Sequence, residues 1–312
     1  MIVAVTGSSG LLGSALVASL VADGHEVIRL VRREPRPGEP ALRWDPPSGA
    51  ITPAGPAIAD AVVHLAGENV AGVRWTAAKK QRIRESRVGS TRRLIGTLTR
   101  LAKPPAVLVC ASGINYYGSR ADEILDEDSA PGSGFLAEVC RDWEAATAPA
   151  IARGIRVVNL RIGVVLSPAG GALAKLLTPF RLGLGGVIGD GAQWMSWIAL
   201  DDLIGALRHA LATDALRGPT NAVAPTPVTN AEFTRTLGRV LGRPTLLPAP
   251  AFALRLALGE MGDELLLSSQ RVTPARLQSS GYTFHHPTLE GALRSVLGRP
   301  PLDQKSVGPR SS

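Results

Sequence analysis

The glycine-rich turn from Thr6 to Gly13, TGSSGLLG, constrains this chain more than any other part of its sequence. It follows a β-prone run, MIVAV, and precedes LLGSALVASLVADG, whose apolar residues recur at helical spacing. Glycines three residues apart allow a sharp turn from strand to helix, close approach of the backbone to a pyrophosphate, and tight packing of the helix on the strand. The free N–H groups at the start of that helix would face the phosphates. The turn therefore predicts a strand–helix–strand unit that binds a dinucleotide; the alternative is a glycine-rich turn without a ligand.

The alternation of strand and helix continues beyond this unit. Further buried strands are predicted at HEVIRLVRR, at 60–67, at 106–112 and at 156–166, with helical stretches at 77–102 and about 136–152. Repeated alternation predicts an α/β fold, with a doubly wound parallel Rossmann sheet that carries helices on both faces. After Leu166 the chain is rich in glycine and then in short helical pieces separated by proline. A smaller, mostly helical C-terminal substrate domain is therefore predicted.

These patterns also predict domain boundaries. Residues 1–166, with about 192–225, would form the NADP-binding domain. Residues 167–191 and 226–298 would form the substrate-binding domain. The last residues, 299–312, have almost no apolar content and are predicted to be a disordered tail.

The end of the second strand predicts which dinucleotide is bound. A carboxylate there would accept a hydrogen bond from the ribose of NAD and repel a 2′-phosphate, whereas this chain has Arg32 and Arg33. Guanidinium groups suit a phosphate, so NADP(H) is the predicted cofactor, unless both arginines are only a solvated strand end. The HLAG segment ends another strand at the same crevice. The predicted cofactor contacts are Thr6, Gly7, Ser9, Gly10, Leu11, Gly13, Arg32, Arg33, Leu65, Ala66 and Gly67.

Composition limits the partners. Basic residues number 34 and acidic residues 26, an excess that favours anions, but the charges are spread along the chain and no nucleic-acid partner is predicted. No apolar run reaches the roughly 18 residues of a membrane span, and Arg255 interrupts the candidate at 246–258, so no membrane partner is predicted either. Cys110 and Cys140 provide neither a disulfide framework nor a metal-ligand set. We expect a small-molecule substrate, no metal and a cytoplasmic location; the oligomeric state stays open.

With the N-terminal turn and Tyr117-Gly118 after the fourth strand, the chain resembles the extended short-chain dehydrogenase/reductase superfamily. The segments AVVHLAGENVAGVRWTAAKKQRIRESRVGST, FLAEVCRDWE, LRIGVVLSPAGGAL and GLGGVIGDGAQWMSWIALDDL are similar to one subfamily, the epimerase family proteins. The resemblance covers about residues 1–298. It implies a Rossmann domain with NADP(H), a substrate cleft under the C-terminal domain, and no particular reaction.

The resemblance also implies a catalytic serine, tyrosine and lysine, and two of these are missing. In the helix FLAEVCRDWE, Leu136 takes the usual tyrosine position and Cys140 the lysine position. The apolar spacing of the helix instead predicts that these two residues belong to an apolar stripe that packs in the core.

Other polar residues could carry the chemistry. Ser112, Tyr117 and Glu68 are the predicted catalytic residues, although Tyr117 could be a wall residue and Glu68 part of a solvated loop. The basic run 79–87 is predicted to be the exposed face of a helix with Ile83 inward. The predicted substrate contacts are Arg74, Trp194, Ser196 and Trp197.

These observations predict an NADP(H)-dependent oxidoreductase that acts on a small molecule. One alternative is an enzyme resembling nucleotide-sugar epimerases and dehydratases. The other is a protein that binds NADPH without catalysis and works as a sensor or scaffold.

Overall fold

The computed structural model describes residues 1–53, 58–72 and 74–301. The strands are β1 (Ile2–Thr6), β2 (Glu26–Val31), β3 (Ala41–Trp44), β4 (Ile51–Thr52), β5 (Ala61–His64), β6 (Val107–Gly113), β7 (Ile124–Leu125), β8 (Arg156–Ile162), β9 (Val164–Leu166), β10 (Trp194–Met195), β11 (Trp197–Ala199), β12 (Gly218–Ala222), β13 (Val228–Thr229) and β14 (Arg271–Val272). The helices are α1 (Leu11–Ala22), α2 (Ala77–Arg84), α3 (Ser90–Leu98), α4 (Phe135–Ala145), α5 (Ala148–Ala152), α6 (Gly171–Arg181), α7 (Leu200–Ala212), α8 (Asn230–Leu241), α9 (Ala251–Leu258), α10 (Glu260–Gly262), α11 (Ala275–Ser279) and α12 (Leu289–Val296). Most of the predicted tail, 302–312, lies outside the described residues.

The main sheet has eight strands in the order β12-β8-β6-β5-β1-β2-β3-β4. Neighbouring strands are parallel, except for the antiparallel pair β3 and β4 at one edge. The strand order reverses at β1, which lies between β2 and β5. In such sheets, ligands bind at the carboxyl ends of the strands where the order reverses. The glycine turn that follows β1 lies at that point.

Helices cover both faces of the sheet, as the sequence predicts. Val3 and Val5 of β1 pack on one face with Leu16 of α1 and Leu207 of α7. Ala4, which points to the other face, packs with residues of α3 and α5. This alternation explains the near-continuous apolar character of the parallel strands, because each is buried from both sides.

Three predicted elements are divided, and one of them is the helical stretch 77–102, which contains α2 and α3. The predicted strand 156–166 breaks at Gly163, after which β9 leaves the main sheet and pairs with β11. A Cβ at Gly163 would lie 2.6 Å from the carbonyl oxygen of Ser196, so the chains cross there without room for a side chain. The predicted helix at 136–152 is likewise two helices, α4 and α5.

The C-terminal part is mostly helical, as predicted. Residues of α6, α8 and α12 enclose a second core around Trp197 and Phe233. Helix α9, from the apolar run 246–258, lies on the surface and buries none of its residues. Every helix in the described part of the chain is too short or too polar to cross a bilayer.

Candidate cofactor crevice

The glycine turn is shaped by contacts that exclude side chains. Gly7 has a φ of +66°, and a Cβ there would lie 2.9 Å from the carbonyl group of Leu65. A Cβ on Gly13 would overlap the carbonyl oxygen of Gly7. Gly10 differs, because its φ is −78° and the nearest atom to a Cβ would be 3.4 Å away. The fold itself therefore requires Gly7 and Gly13, whereas a Cβ at Gly10 would be accommodated without overlap.

Helix α1 begins at this turn with free backbone donors. Its N-cap, Gly10, has no side chain that could accept a hydrogen bond, and its first turn contains no acidic residue. The first N–H groups of a helix need partners, and its dipole end is positive. The start of α1 is thus suited to a pyrophosphate.

Thr6 and His64 form the floor beneath the turn. The Thr6 Oγ1 atom lies 2.7 Å from the Nδ1 of His64 and accepts the N–H groups of Leu65 and Ala66 at 3.1 and 3.3 Å. The Nε2 of His64 lies 3.0 Å from the hydroxyl of Thr91. Burial lowers the pKa of His64 to about 4, so its ring is neutral. Thr6 is fully buried, and its hydrogen bonds join the ends of β1 and β5 under the predicted cofactor position.

A cleft of about 590 Å³ opens above this floor. Its volume lies within the range of pockets that hold small molecules and cofactors. Eight of the predicted cofactor residues line it: Gly7, Ser9, Gly10, Arg32, Arg33, Leu65, Ala66 and Gly67. Leu11 and Gly13 belong instead to α1, where Gly13 provides the close approach between helix and turn. The sequence did not predict Glu39 and Trp44 in this lining, because the strand pattern gives no sign that they lie near the cleft.

The two arginines that end β2 have different surroundings. Arg32 is exposed and forms no ion pair with any described residue. Arg33 donates from both terminal nitrogens to the carboxylate of Glu39, at 2.9 and 2.6 Å. The cleft therefore has one uncommitted guanidinium and one that is already paired.

The basic run 79–87 is only partly an exposed helix face. Ile83 is fully buried, as predicted, but Lys79 is also buried. A π-helical segment, Glu85–Gly89, separates α2 from α3, and such segments often occur at functional sites. It directs Ser86 and Ser90 into the lining of the cleft. A π-helical turn contains one residue more than an α-helical turn, and this change of register could not be predicted from helical periodicity.

Arg87, in the same segment, extends under the crevice. Its Nη1 donates to the carbonyl oxygen of Glu68 at 2.9 Å, and its guanidinium lies 5.3 Å from the ring centre of Trp143. Arg87 forms no ion pair within the described part of the chain, and burial lowers its pKa. Burial raises the pKa of Cys140 to about 11, and the positive charge of Arg87 opposes this rise. A cation thus lies close to the position from which the expected lysine is missing.

Leu136 and Cys140 are both buried, as the apolar stripe predicts. Leu136 packs in a cluster with Trp75 and with Met261 of the C-terminal region. The carboxylate of Glu264 accepts the N–H groups of Phe135 and Leu136 at 2.6 and 2.8 Å. The C-terminal region therefore closes over the start of α4.

Ser112 and Tyr117 lie in a closed polar network. The Ser112 hydroxyl donates to Glu144 at 2.7 Å, and Arg161 donates twice to the same carboxylate at 2.8 Å. Arg161 also donates to the Tyr117 hydroxyl, which donates to the Oδ1 of Asn221, both at 2.8 Å. Tyr117 is 0% exposed, and burial raises its pKa to about 12, although Arg161 opposes this. This geometry favours a structural role and gives the predicted catalytic roles of Ser112 and Tyr117 no support.

Glu68 is the predicted catalytic residue that borders the cleft. Its carboxylate accepts a hydrogen bond from Lys79 at 2.7 Å and lies 3.6 Å from the Nε of Arg82. The hydrogen bond from Lys79 is the main cause that lowers the pKa of Glu68. A carboxylate of lowered pKa is a weaker base, so Glu68 is better suited to orienting a polar group than to removing a proton.

The predicted substrate contacts do not form one surface. Ser196 and Trp197 are fully buried, which differs from the prediction that they line a cleft. The Ser196 hydroxyl joins the backbone of Gln270 and Val272, and the Trp197 indole donates to the carbonyl of Thr226. Trp194 is partly exposed, with the guanidinium of Arg271 4.1 Å from its ring centre. Arg74 is exposed and lies against the end of α9. Residues 196–199 are buried in succession, which sequence proximity to Trp194 could not reveal.

The fold and this crevice define a Rossmann-type α/β protein. The model of the NAD dependent epimerase/dehydratase family matches residues 3–223, and that of a domain of unknown function (DUF1731) matches residues 249–296. The chain therefore belongs to the NAD dependent epimerase/dehydratase family. Among the residues that the structure covers, no group of three or more His, Cys, Asp or Glu side chains could hold a metal ion.

Similar proteins narrow this placement. Epimerase family protein Mb2239 of Mycobacterium bovis is 48% identical over 299 residues, which cover 96% of this chain and 98% of that protein. The crystal structure of human epimerase family protein SDR39U1 with NADPH has a TM-score of 0.87 and 37% identity, covering 96% of this chain and 99% of that one. A nucleoside-diphosphate sugar epimerase from Corynebacterium glutamicum has a TM-score of 0.79 and 42% identity, over 97% of this chain and 59% of its own. The match to epimerase family proteins confirms the resemblance seen in the sequence.

Proposed function

We propose that this protein is an NADP(H)-dependent oxidoreductase of the extended short-chain type that acts on a small molecule. The observation that carries the proposal is the turn at the end of β1, where Gly7 and Gly13 exclude side chains and α1 presents free N–H groups. The similar human protein was crystallised with NADPH, which supports the same cofactor here. When bound, NADP(H) supplies a hydride donor or acceptor at its nicotinamide ring.

The residues of the chain divide the task of holding this cofactor. The backbone from Gly7 to Gly10 would hold the pyrophosphate, and Arg32 with Arg33 the 2′-phosphate. Residues 1–166 with about 192–225 would form this half of the protein. Residues 167–191 and 226–298 would cover the substrate.

Replacing both Arg32 and Arg33 by alanine tests the cofactor assignment. Loss of charge-assisted contacts to the 2′-phosphate should weaken NADPH binding by about 1.5–3 kcal/mol and leave NADH binding unchanged. Calorimetric titration with both cofactors measures this, and Arg36→Ala is the matched control because the Arg36 side chain is outside the cleft lining. Equal affinity of the wild type for NADH and NADPH would contradict the assignment.

Arg87 is the proposed replacement for the missing lysine. Its guanidinium lies under Gly67, where a Cβ would be 3.3 Å from the Cζ of Arg87. From that position it would hold the nicotinamide half of the cofactor, which NADH and NADPH share. Arg87→Met should therefore weaken both cofactors equally, and Arg87→Lys should weaken them less. A loss confined to NADPH would place Arg87 at the 2′-phosphate instead.

The burial of Leu136 and Cys140 favours a second candidate, a protein that binds NADPH without catalysis. Incubation with NADPH and a library of carbonyl compounds, followed by nicotinamide absorbance, separates the two. Turnover of any compound, lost in the Gly10→Val variant, supports the oxidoreductase. NADPH binding without turnover across the library supports the sensor or scaffold.

A further inference from the structure

The carboxylate of Glu39 lies beside the residues proposed to bind the 2′-phosphate. Glu39 belongs to the connection between β2 and β3 and lines the cofactor cleft. It accepts hydrogen bonds from Nη1 and Nη2 of Arg33 at 2.9 and 2.6 Å, and from the N–H group of Arg36 at 3.0 Å. A guanidinium uses the same two-pronged geometry to bind a phosphate. The donors that Arg33 would offer to the cofactor are thus occupied by another part of the chain.

In the Arg33–Glu39 pair, Glu39 is the more buried partner and stays charged. The Glu39 side chain is 18% exposed, compared with 54% for Arg33. Hydrogen bonds from Arg33 and from the backbone of Arg36 lower the pKa of Glu39 to about 2. The carboxylate therefore keeps its negative charge at every pH at which the protein is expected to work, and it cannot release Arg33 by taking up a proton.

The Glu39 carboxylate places in the crevice a negative charge that the end of β2 lacks. A carboxylate next to the adenosine ribose accepts a hydrogen bond from the 2′-hydroxyl of NAD and repels a 2′-phosphate. The sequence has arginine at the end of β2, where that carboxylate usually lies. Glu39, six residues beyond Arg33, is brought to the same end of the cleft by the turn into β3.

We propose that Glu39 is a specificity-determining residue that reduces the preference of this protein for NADP(H) over NAD(H). It competes with the 2′-phosphate for Arg33 and places a negative charge next to it. Arg32, which forms no ion pair among the described residues, then provides most of the attraction for the phosphate. This inference rests on the proposed cofactor role.

The Glu39→Gln variant tests the proposal, because it keeps the size of the side chain and removes its charge. Calorimetric titration should show that NADPH binds five- to twentyfold more tightly than to the wild type, while NADH binds equally or more weakly. The matched control is Glu34→Gln, which removes the same charge nearby. The Glu34 side chain is 76% exposed, and its carboxylate lies 3.7 Å from Arg43 rather than on Arg33. This control should change either affinity less than twofold.

A second pair of variants connects the gain to Arg33. In an Arg33→Ala background, Glu39→Gln should raise NADPH affinity by less than half the factor seen with Arg33 present, because only the charge repulsion is then removed and no contested guanidinium remains. Circular dichroism and thermal unfolding verify that the turn still folds in each variant.

The outcomes separate this inference from the proposed function. A wild type that binds neither cofactor, together with a Glu39→Gln variant that binds neither, overturns the proposed function and the inference with it. A wild type that binds NADPH, with unchanged or weaker binding by Glu39→Gln, overturns only the inference and makes Glu39 a residue that positions Arg33. An equal gain in Glu34→Gln, or a gain that is equally large without Arg33, also overturns it.

Discussion

The cofactor crevice and the Glu144–Arg161 network both lie at the carboxyl ends of strands in one sheet, yet they differ in how their polar groups are satisfied. In the crevice, Arg32 has no ion pair among the described residues, and the start of α1 has no capping side chain. In the network, Ser112, Tyr117 and Arg161 each donate to another side chain. Buried polar groups are costly unless they are paired. The unpaired donors of the crevice are therefore available to a ligand, whereas the paired groups of the Glu144–Arg161 network are suited to a structural role.

The largest expected effect tests the network. Glu144→Gln should reduce the free energy of unfolding by about 3 kcal/mol or more, because Arg161 is 2% exposed and would keep an uncompensated charge. Chemical denaturation measures this. Glu138→Gln, on the same helix, is the control. The Glu138 side chain is 54% exposed and lies 3.4 Å from Arg84, so its loss should cost less than about 0.5 kcal/mol. Equal losses of unfolding free energy in the two variants would contradict the distinction between the buried network and a surface ion pair.

Gly10→Val tests the crevice. The valine side chain would enter the phosphate position, so NADPH affinity should fall by about 100-fold or more. The fold should persist, because a Cβ at Gly10 would have no protein atom closer than 3.4 Å. Thermal unfolding with and without NADPH reports both quantities, since a bound ligand stabilises the folded state.

Gly13→Ala provides the contrast within the same turn. Its Cβ would overlap the carbonyl oxygen of Gly7, so this variant should lose stability even without NADPH. If Gly10→Val unfolds the protein and Gly13→Ala does not, the roles given to the two glycines are reversed.

Tyr117→Phe tests the residue for which the sequence predicts a catalytic role and the geometry favours a structural one. Removal of its hydroxyl leaves Arg161 and Asn221 each without one partner, which should cost about 1–3 kcal/mol of stability. NADPH affinity should be unchanged, and any turnover should change less than tenfold. A positioned general acid would contribute roughly 10²–10⁴-fold, so a loss of that size would restore the catalytic role.

Tyr116→Phe is the matched control for that variant. The guanidinium of Arg161 lies 3.5 Å from the centre of the Tyr116 ring, a contact that phenylalanine would keep. The free energy of unfolding of the Tyr116→Phe variant should differ from that of the wild type by less than about 0.5 kcal/mol.

The smallest expected effect is a pH dependence from the floor of the crevice. His64 has a folded pKa of about 4, below the roughly 6.5 of an unfolded histidine. Between these values the unfolded chain binds a proton that the folded protein does not, so stability falls as the pH is lowered. From pH 7 to pH 5, this residue should contribute a loss of about 1–2 kcal/mol.

Denaturation of the wild type and of His64→Gln at both pH values isolates that contribution. The variant should lose less stability on acidification, and NMR should show a neutral His64 ring at pH 5. His25→Gln, at a histidine that is only partly buried, is the matched control. A protonated His64 ring at pH 5 would contradict the burial argument.

Much of the fold could be predicted from local pattern. The strands around β1, β2, β5 and β6 are apolar runs, and glycine spacing located the turn, because both signals depend on neighbouring residues. The sequence did not predict β3, β4 and β12, since short strands at or next to a sheet edge, among proline and glycine, have little periodicity of their own. Gly163 shows the same limit, because its role depends on the distant Ser196 backbone.

By itself, the sequence determined the sheet, the glycine turn and the absence of the usual tyrosine and lysine, since each is a matter of which residues stand at which spacing. Only the tertiary structure decided which polar residues are free. It paired Arg33 with Glu39, enclosed Tyr117 and Ser112 in a network, and brought Arg87 near Cys140 through a π-helical segment. The physical reason is that burial and hydrogen bonding depend on contacts between residues far apart in the chain, and these contacts change the charge, pKa and accessibility of a side chain.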